Sequence, residues 1–77
     1  MAWAFGAVLK KHRLKKKLSQ EALAELAEIH PTHVSLIERF ERNASLNIAK
    51  ALAKALNISL TEMIREAESL LSPRDNL

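Results

Sequence analysis

Cysteine is absent from this 77-residue chain, which excludes a disulfide framework, a thiolate metal site and a thiol nucleophile. A domain of this length sits near the size at which burial only just outweighs chain entropy, so its stability has to come from packing, helped by a partner subunit. Tyrosine is also missing, and there is one glycine and only two prolines, so helix breakers are few and β-forming residues sparse. No stretch alternates with period two for long enough to make a strand. The apolar stretch from Ala2 to Leu9 is too short for a membrane span or a signal core, and no small-residue cleavage site follows it. There is no glycine-rich phosphate loop, no nucleophile and base at a known spacing, and too little chain to close a pocket. The expectation is a single cytoplasmic, all-α domain over residues 1–77, with no enzymatic activity, no cofactor and no small-molecule ligand.

What is present is rich in Ala, Leu, Lys and Glu, and its net charge of +3 is unevenly placed. Lys10, Lys11, Arg13, Lys15, Lys16 and Lys17 all precede the first acidic residue, Glu21. Such a block suits DNA phosphate or an anionic surface, and it equally suits a solvated helix face.

Hydrophobic spacing divides the chain into five helices. Trp3, Phe5, Val8, Leu9 and Leu14 recur at helical intervals over residues 3–16, with Trp3 assigned to the core. Ser19 is placed to cap a helix over 20–27, with Leu23, Ala24, Leu26 and Ala27 on its apolar face and Glu21 near its positive end. Pro31 suits the first position of a third helix, 31–39, with Val34, Ile37 and Phe40 inward. Ser45 caps a fourth, 46–56; Asn57 is a left-handed stop. Ser59 with Glu62 forms a capping box for a fifth, 60–71, followed by a fraying tail, 72–77.

Two short helices joined by three or four residues, the first carrying small Ala24 at its crossing point, have the geometry of a helix-turn-helix. Leu23, Ala24, Ala27, Ile29, Val34 and Ile37 stand where such a unit packs its interior; Thr32, His33, Ser35, Leu36 and Arg39 are left pointing elsewhere. With Phe5-Gly6, Arg13, Leu18-Ser19-Gln20, Glu38-Arg39, Arg42-Asn43-Ala44-Ser45-Leu46, Ala49-Lys50-Ala51-Leu52 and Ser59-Leu60, this order resembles the lambda-repressor/Cro-like, or XRE, family. Within that family it is most similar to the short controller proteins of restriction–modification systems.

The resemblance implies a compact five-helix DNA-binding domain whose third helix reads base edges in the major groove. Carried over position by position, it nominates Thr32, His33, Ser35 and Arg39 for base contact. It assigns Gln20 and Arg42 to phosphate contact or helix anchoring, and Arg13 with Glu38 to a structural ion pair. The chain departs from the family at Glu28, where the turn usually has Gly, at Pro31, where controller proteins often have Arg, and at Phe40, a position commonly Gly or Asn. His30 and His33 are three apart, but without further ligands they make no zinc site.

The fifth helix carries Leu60, Met63, Ile64, Ala67, Leu70 and Leu71, a stripe wider than one small core requires. Leu60 and Ile64 are expected to face inward, with Met63, Ala67, Leu70 and Leu71 shared with a second copy. The resulting expectation is a homodimeric transcriptional regulator binding a palindromic operator, nucleoid-associated through that binding, and in controller fashion acting on its own promoter. The rival reading is an antitoxin or adaptor whose fifth helix binds another protein, with DNA secondary.

Overall fold

The computed structural model describes residues 2–71 and contains five helices and no strand among them. They are α1 (Ala2–Lys15), α2 (Gln20–Ala27), α3 (Pro31–Glu38), α4 (Leu46–Ala55) and α5 (Leu60–Leu71). The expected tail at 72–77 lies outside the described residues. α1 packs against α3 and α5, α2 against α3 and α4, and α4 against α5, so one core is enclosed from all sides. Leu9, Leu23, Val34, Ile37, Leu52, Leu56 and Met63 are its largest fully buried side chains, drawn from every helix.

Helix starts follow from serine. The hydroxyls of Ser19, Ser45 and Ser59 accept the backbone N–H groups of Ala22, Ile48 and Glu62 at 2.9, 3.2 and 3.0 Å, satisfying donors with no partner inside the helix. Helix ends share a second device. Lys17, Glu28, Phe40 and Asn57 each hold a left-handed backbone, with φ between 58° and 65°. After each, the next residue's N–H reaches back five positions: Leu18 to Arg13, Ile29 to Ala24, Glu41 to Leu36 and Ile58 to Ala53. The device reverses the chain within a residue or two, which lets 77 residues build five helices.

None of these four stops is glycine, and a side chain in this conformation costs about 1–2 kcal/mol, less for asparagine. Glu28→Gly is therefore expected to raise stability by about 1 kcal/mol net of glycine's extra chain entropy, a rise of about 4–8 °C in Tm. An unchanged or lowered Tm on thermal unfolding would contradict the strain ascribed to this turn.

Several apolar residues assigned to the core lie outside it. Trp3 is 45% exposed, and Leu14, Leu26 and Phe40 are exposed as well. At about 100° per residue, Trp3 and Leu14 fall nearly opposite the inward arc of Ala4, Phe5, Val8 and Leu9. Leu26 sits on the flank of an inward face built on Leu23, Ala24 and Ala27. Phe40 is turned outward by its left-handed backbone and lies over Gly6.

On the opposite side of α1, Glu66 of α5 accepts from Lys11 at 2.9 Å and lies 3.0 Å from the His12 ring. The Lys11 hydrogen bond holds the Glu66 carboxyl below its ordinary range, burial opposes this, and His12 adds to it. A depressed carboxyl stabilises above its unfolded range and loses that effect on acidification, so this clamp between α1 and α5 weakens only in acid.

Candidate nucleic-acid interface

The turn between α2 and α3 is three residues long: Glu28 reverses the chain, Ile29 is half-buried against the core, and His30 opens α3. Small Ala24 and Ala27 are buried on α2, allowing α3 to cross closely, while Val34 and Ile37 fix α3 from below.

A polar network holds the far end of α3. The Arg13 guanidinium donates from Nε to Glu38 Oε2 at 2.7 Å and from Nη2 to Glu38 Oε1 at 3.0 Å, and its Nη1 donates to the Leu18 carbonyl at 2.7 Å. Gln20 Nε2 donates to the same Glu38 Oε1 at 3.0 Å. Both members of the ion pair are buried, and among the described residues no buried side-chain polar atom lacks a partner. The Glu38 hydrogen bond raises the Arg13 pKa above its ordinary value against the opposing effect of burial, so the guanidinium is firmly charged. One cluster thus joins α1, the α1–α2 loop, the start of α2 and the end of α3. Of the two roles expected for Gln20, this hydrogen bond to Glu38 is the anchoring one.

With Val34, Ile37 and Glu38 turned inward, α3 presents the rest of its surface outward. Thr32 and Arg39 are exposed, and His33, Ser35 and Leu36 are half-buried. Thr32, Ser35 and Arg39 follow at intervals of three and four, on one face. Arg39 lies just beyond the helix and pairs loosely with Glu41 at 3.3 Å, both exposed, a contact weak enough to be exchanged. Arg42 is exposed in the following loop. Lys15 and Lys16 border the α4–α5 turn beside Leu56, Asn57 and Ile58, away from α3. His30 Nδ1 accepts the Thr32 N–H, and among the described residues no three His, Cys, Asp or Glu side chains gather as metal ligands.

The fifth helix is rotated relative to expectation. Met63 and Ala67, expected at a shared interface, are 0% exposed within the single chain and have no surface left to share. Their methylene and methyl groups close the core instead. Leu60 and Ile64, expected inward, are only partly buried and line an apolar hollow of about 260 Å³ with Phe5, Ile37, Leu46 and Ala49. Leu46 stands at its rim, 70% exposed. Leu70 and Leu71 remain exposed; Leu70 lies farther along α5, beside Ala7, Val8 and Lys11 of α1. The split of this stripe into a buried pair and a flanking pair was not visible in sequence, because both pairs have the same spacing of four.

Comparison with known proteins agrees with this geometry. A helix-turn-helix family profile matches residues 9–63. The control protein C.SmaI of Serratia marcescens is 41% identical over 56 residues, covering 73% of this chain and 67% of that one. The crystal structure of the restriction–modification controller protein C.AhdI from Aeromonas hydrophila superposes with a TM-score of 0.78 at 40% identity, over 80% of this chain and 94% of that one. The clp gene regulator ClgR from Corynebacterium glutamicum superposes with a TM-score of 0.88 at 25% identity, over 97% and 80%. The match through α2, α3 and α4, with relatives named as control proteins and regulators, places this chain in the XRE-type helix-turn-helix family, among proteins similar to restriction–modification controllers.

Proposed function

We propose that this protein is a sequence-specific regulator of transcription of the controller type, binding an inverted-repeat operator as a homodimer and acting on its own promoter. The observation that carries the reading is the outward face of α3, where Thr32, Ser35 and Arg39 align on a helix whose other face is held by Val34, Ile37 and Glu38. Hydroxyls bond several base edges, and arginine takes guanine in a bidentate pair. His33 and Arg42 flank this row, suited to groove and phosphate respectively.

The second copy fits the hollow lined by Leu46, Leu60 and Ile64 better than the Leu70–Leu71 end of α5. Ile37 of α3 lines that same hollow, so a two-fold axis there would set the two recognition helices on one side of the dimer, where half-sites about 34 Å apart require them. A monomer reading one half-site through so few side chains would bind weakly and with strong salt dependence. No helix among the described residues is long and apolar enough to cross a membrane.

Two variants test the reading separately. Ser35→Ala is expected to weaken operator binding by about 1–3 kcal/mol with little change on random DNA; equal losses on both would refute base readout. Ile64→Asp is expected to leave a folded monomer in sedimentation, and Leu70→Asp a dimer. The reverse pattern would move the interface to the end of α5. A wild-type monomer that co-purifies with a second protein would favour the adaptor reading.

A further inference from the structure

The third helix opens differently from the others. Ser19, Ser45 and Ser59 cap their helices with hydroxyl oxygens, whereas α3 is capped by a ring: His30, at φ −72° and ψ 139°, accepts the Thr32 N–H on Nδ1 at 3.1 Å. A hydroxyl accepts a hydrogen bond regardless of pH near neutrality, but an imidazole nitrogen accepts only when it carries no proton. The contact therefore fixes the tautomer, with the proton on Nε2 and Nδ1 bare. Pro31 has no N–H, so Thr32 is the first backbone donor of the helix and His30 its only side-chain acceptor among the described residues. The ring is exposed and open to proton exchange.

We propose that His30 is a proton-sensitive positioning residue of the recognition helix. Neutral, it orders the turn that carries Thr32, His33 and Ser35. Protonated on Nδ1, it releases the Thr32 N–H and sets a positive charge at the positive end of α3. The proposal rests on the DNA-binding reading above and adds a regulation to it.

The helices packed most extensively against α3 are α1 and α2. They bring Lys10, Arg13 and the following Lys17 from the first, and Glu21, Glu25 and the following Glu28 from the second; α3 and its end supply His33, Glu38 and Arg39. Arg13 and Glu38 engage each other, Arg39 engages Glu41, and among the described residues none of these groups forms an ion pair with His30. Acidification then acts oppositely on two kinds of binding. Sequence-specific affinity needs the first turn ordered and falls, whereas affinity for any DNA follows charge and rises. Selectivity between operator and random sequence drops.

The test compares wild type with His30→Asn, whose side-chain oxygen caps a helix without titrating, between about pH 8 and about pH 5.5. In the DNA-free protein, nitrogen NMR should show the Nε2–H tautomer at the higher pH, and the Thr32 amide shift should follow the His30 ring in wild type and stay flat in the variant. The ratio of operator to random-DNA affinity should fall about fivefold more in wild type than in the variant, a factor equivalent to about 1 kcal/mol, the ordinary worth of a cap. His33 and His12 are common to both proteins, so the difference isolates His30. An Nδ1–H tautomer, a Thr32 amide that ignores the ring, or equal loss of selectivity in both proteins would overturn the proposal. The amide titration needs no DNA, so its failure refutes the role of His30 alone; absence of any sequence preference at either pH refutes the DNA-binding reading beneath the selectivity arm.

Discussion

Replacing Arg13 by leucine is expected to destabilise the protein by about 3–5 kcal/mol, the range found when one member of a buried ion pair is removed. A domain of 77 residues has roughly 4–12 kcal/mol in total, so the variant would be close to unfolded at moderate temperature. The loss arises at Glu38. Its carboxylate, buried at the end of α3, would keep only the Gln20 amide and would have to hold a charge largely uncompensated or take up a proton. Lysine should not rescue it, because Arg13 uses a planar fork to reach both Glu38 oxygens and a third nitrogen to reach Leu18. The double variant Arg13→Leu, Glu38→Leu is expected to recover most of the loss, since an apolar pair of similar volume needs no compensation. Urea unfolding of the set decides it. A single-variant loss below about 1 kcal/mol would show that this cluster contributes little to holding α3, and no recovery in the double would contradict the assignment of the loss to a stranded Glu38 carboxylate.

Gly6→Ala carries the second large effect, and its sign runs against helix propensity. Alanine in the middle of α1 would ordinarily add about 1 kcal/mol. Here a Cβ at residue 6 would collide with the Ile37 carbonyl oxygen and lie 3.0 Å from the Phe40 ring. The ring can turn, but the carbonyl is backbone and also accepts the Phe40 N–H in the turn that ends α3. α1 would have to move away from the recognition helix, parting Phe5 from Ile37, which both line the apolar hollow. Overpacking of this kind costs about 1–3 kcal/mol or more, so a net loss of about 2 kcal/mol is expected in urea unfolding, with operator binding reduced in the same variant. A variant more stable than wild type would show that the α1–α3 approach is looser than its geometry.

These two residues also show how far sequence alone reaches. Arg13 and the serine caps were legible because each is local or belongs to a pattern of fixed spacing: a hydroxyl three residues before a free N–H works wherever it occurs. The helix-turn-helix was legible for the same reason, since Ala24, Ala27, Val34 and Ile37 define one crossing. The role of Gly6 was not, because the carbonyl it makes room for lies on another helix.

Nor was the rotation of α5 legible. Leu60 and Ile64 repeat the spacing of Met63 and Ala67, and only the contacts made by the folded chain choose between them. One such contact is visible: Lys11 and His12 grip Glu66, which fixes α5 with Met63 and Ala67 toward the core. Trp3 misled for another reason, its size outweighing an angular position almost opposite Val8 and Leu9. The Phe40 turn was illegible because a bulky aromatic residue is a poor left-handed residue; the position is tolerable because its ring covers Gly6. His30 was weighed only as half of a metal pair and set aside, although a side-chain acceptor directly before Pro31 is also the sequence signal of a cap.

The central claim, that two copies of α3 read one symmetric site, is tested most directly by selecting bound sequences from random DNA with the purified full chain and footprinting the winner at two salt concentrations. The account predicts an enriched inverted repeat with half-site centres about one helical turn apart, roughly 34 Å, protected at both salts. Uniformly weak binding with no enriched sequence, abolished at the higher salt, would contradict it.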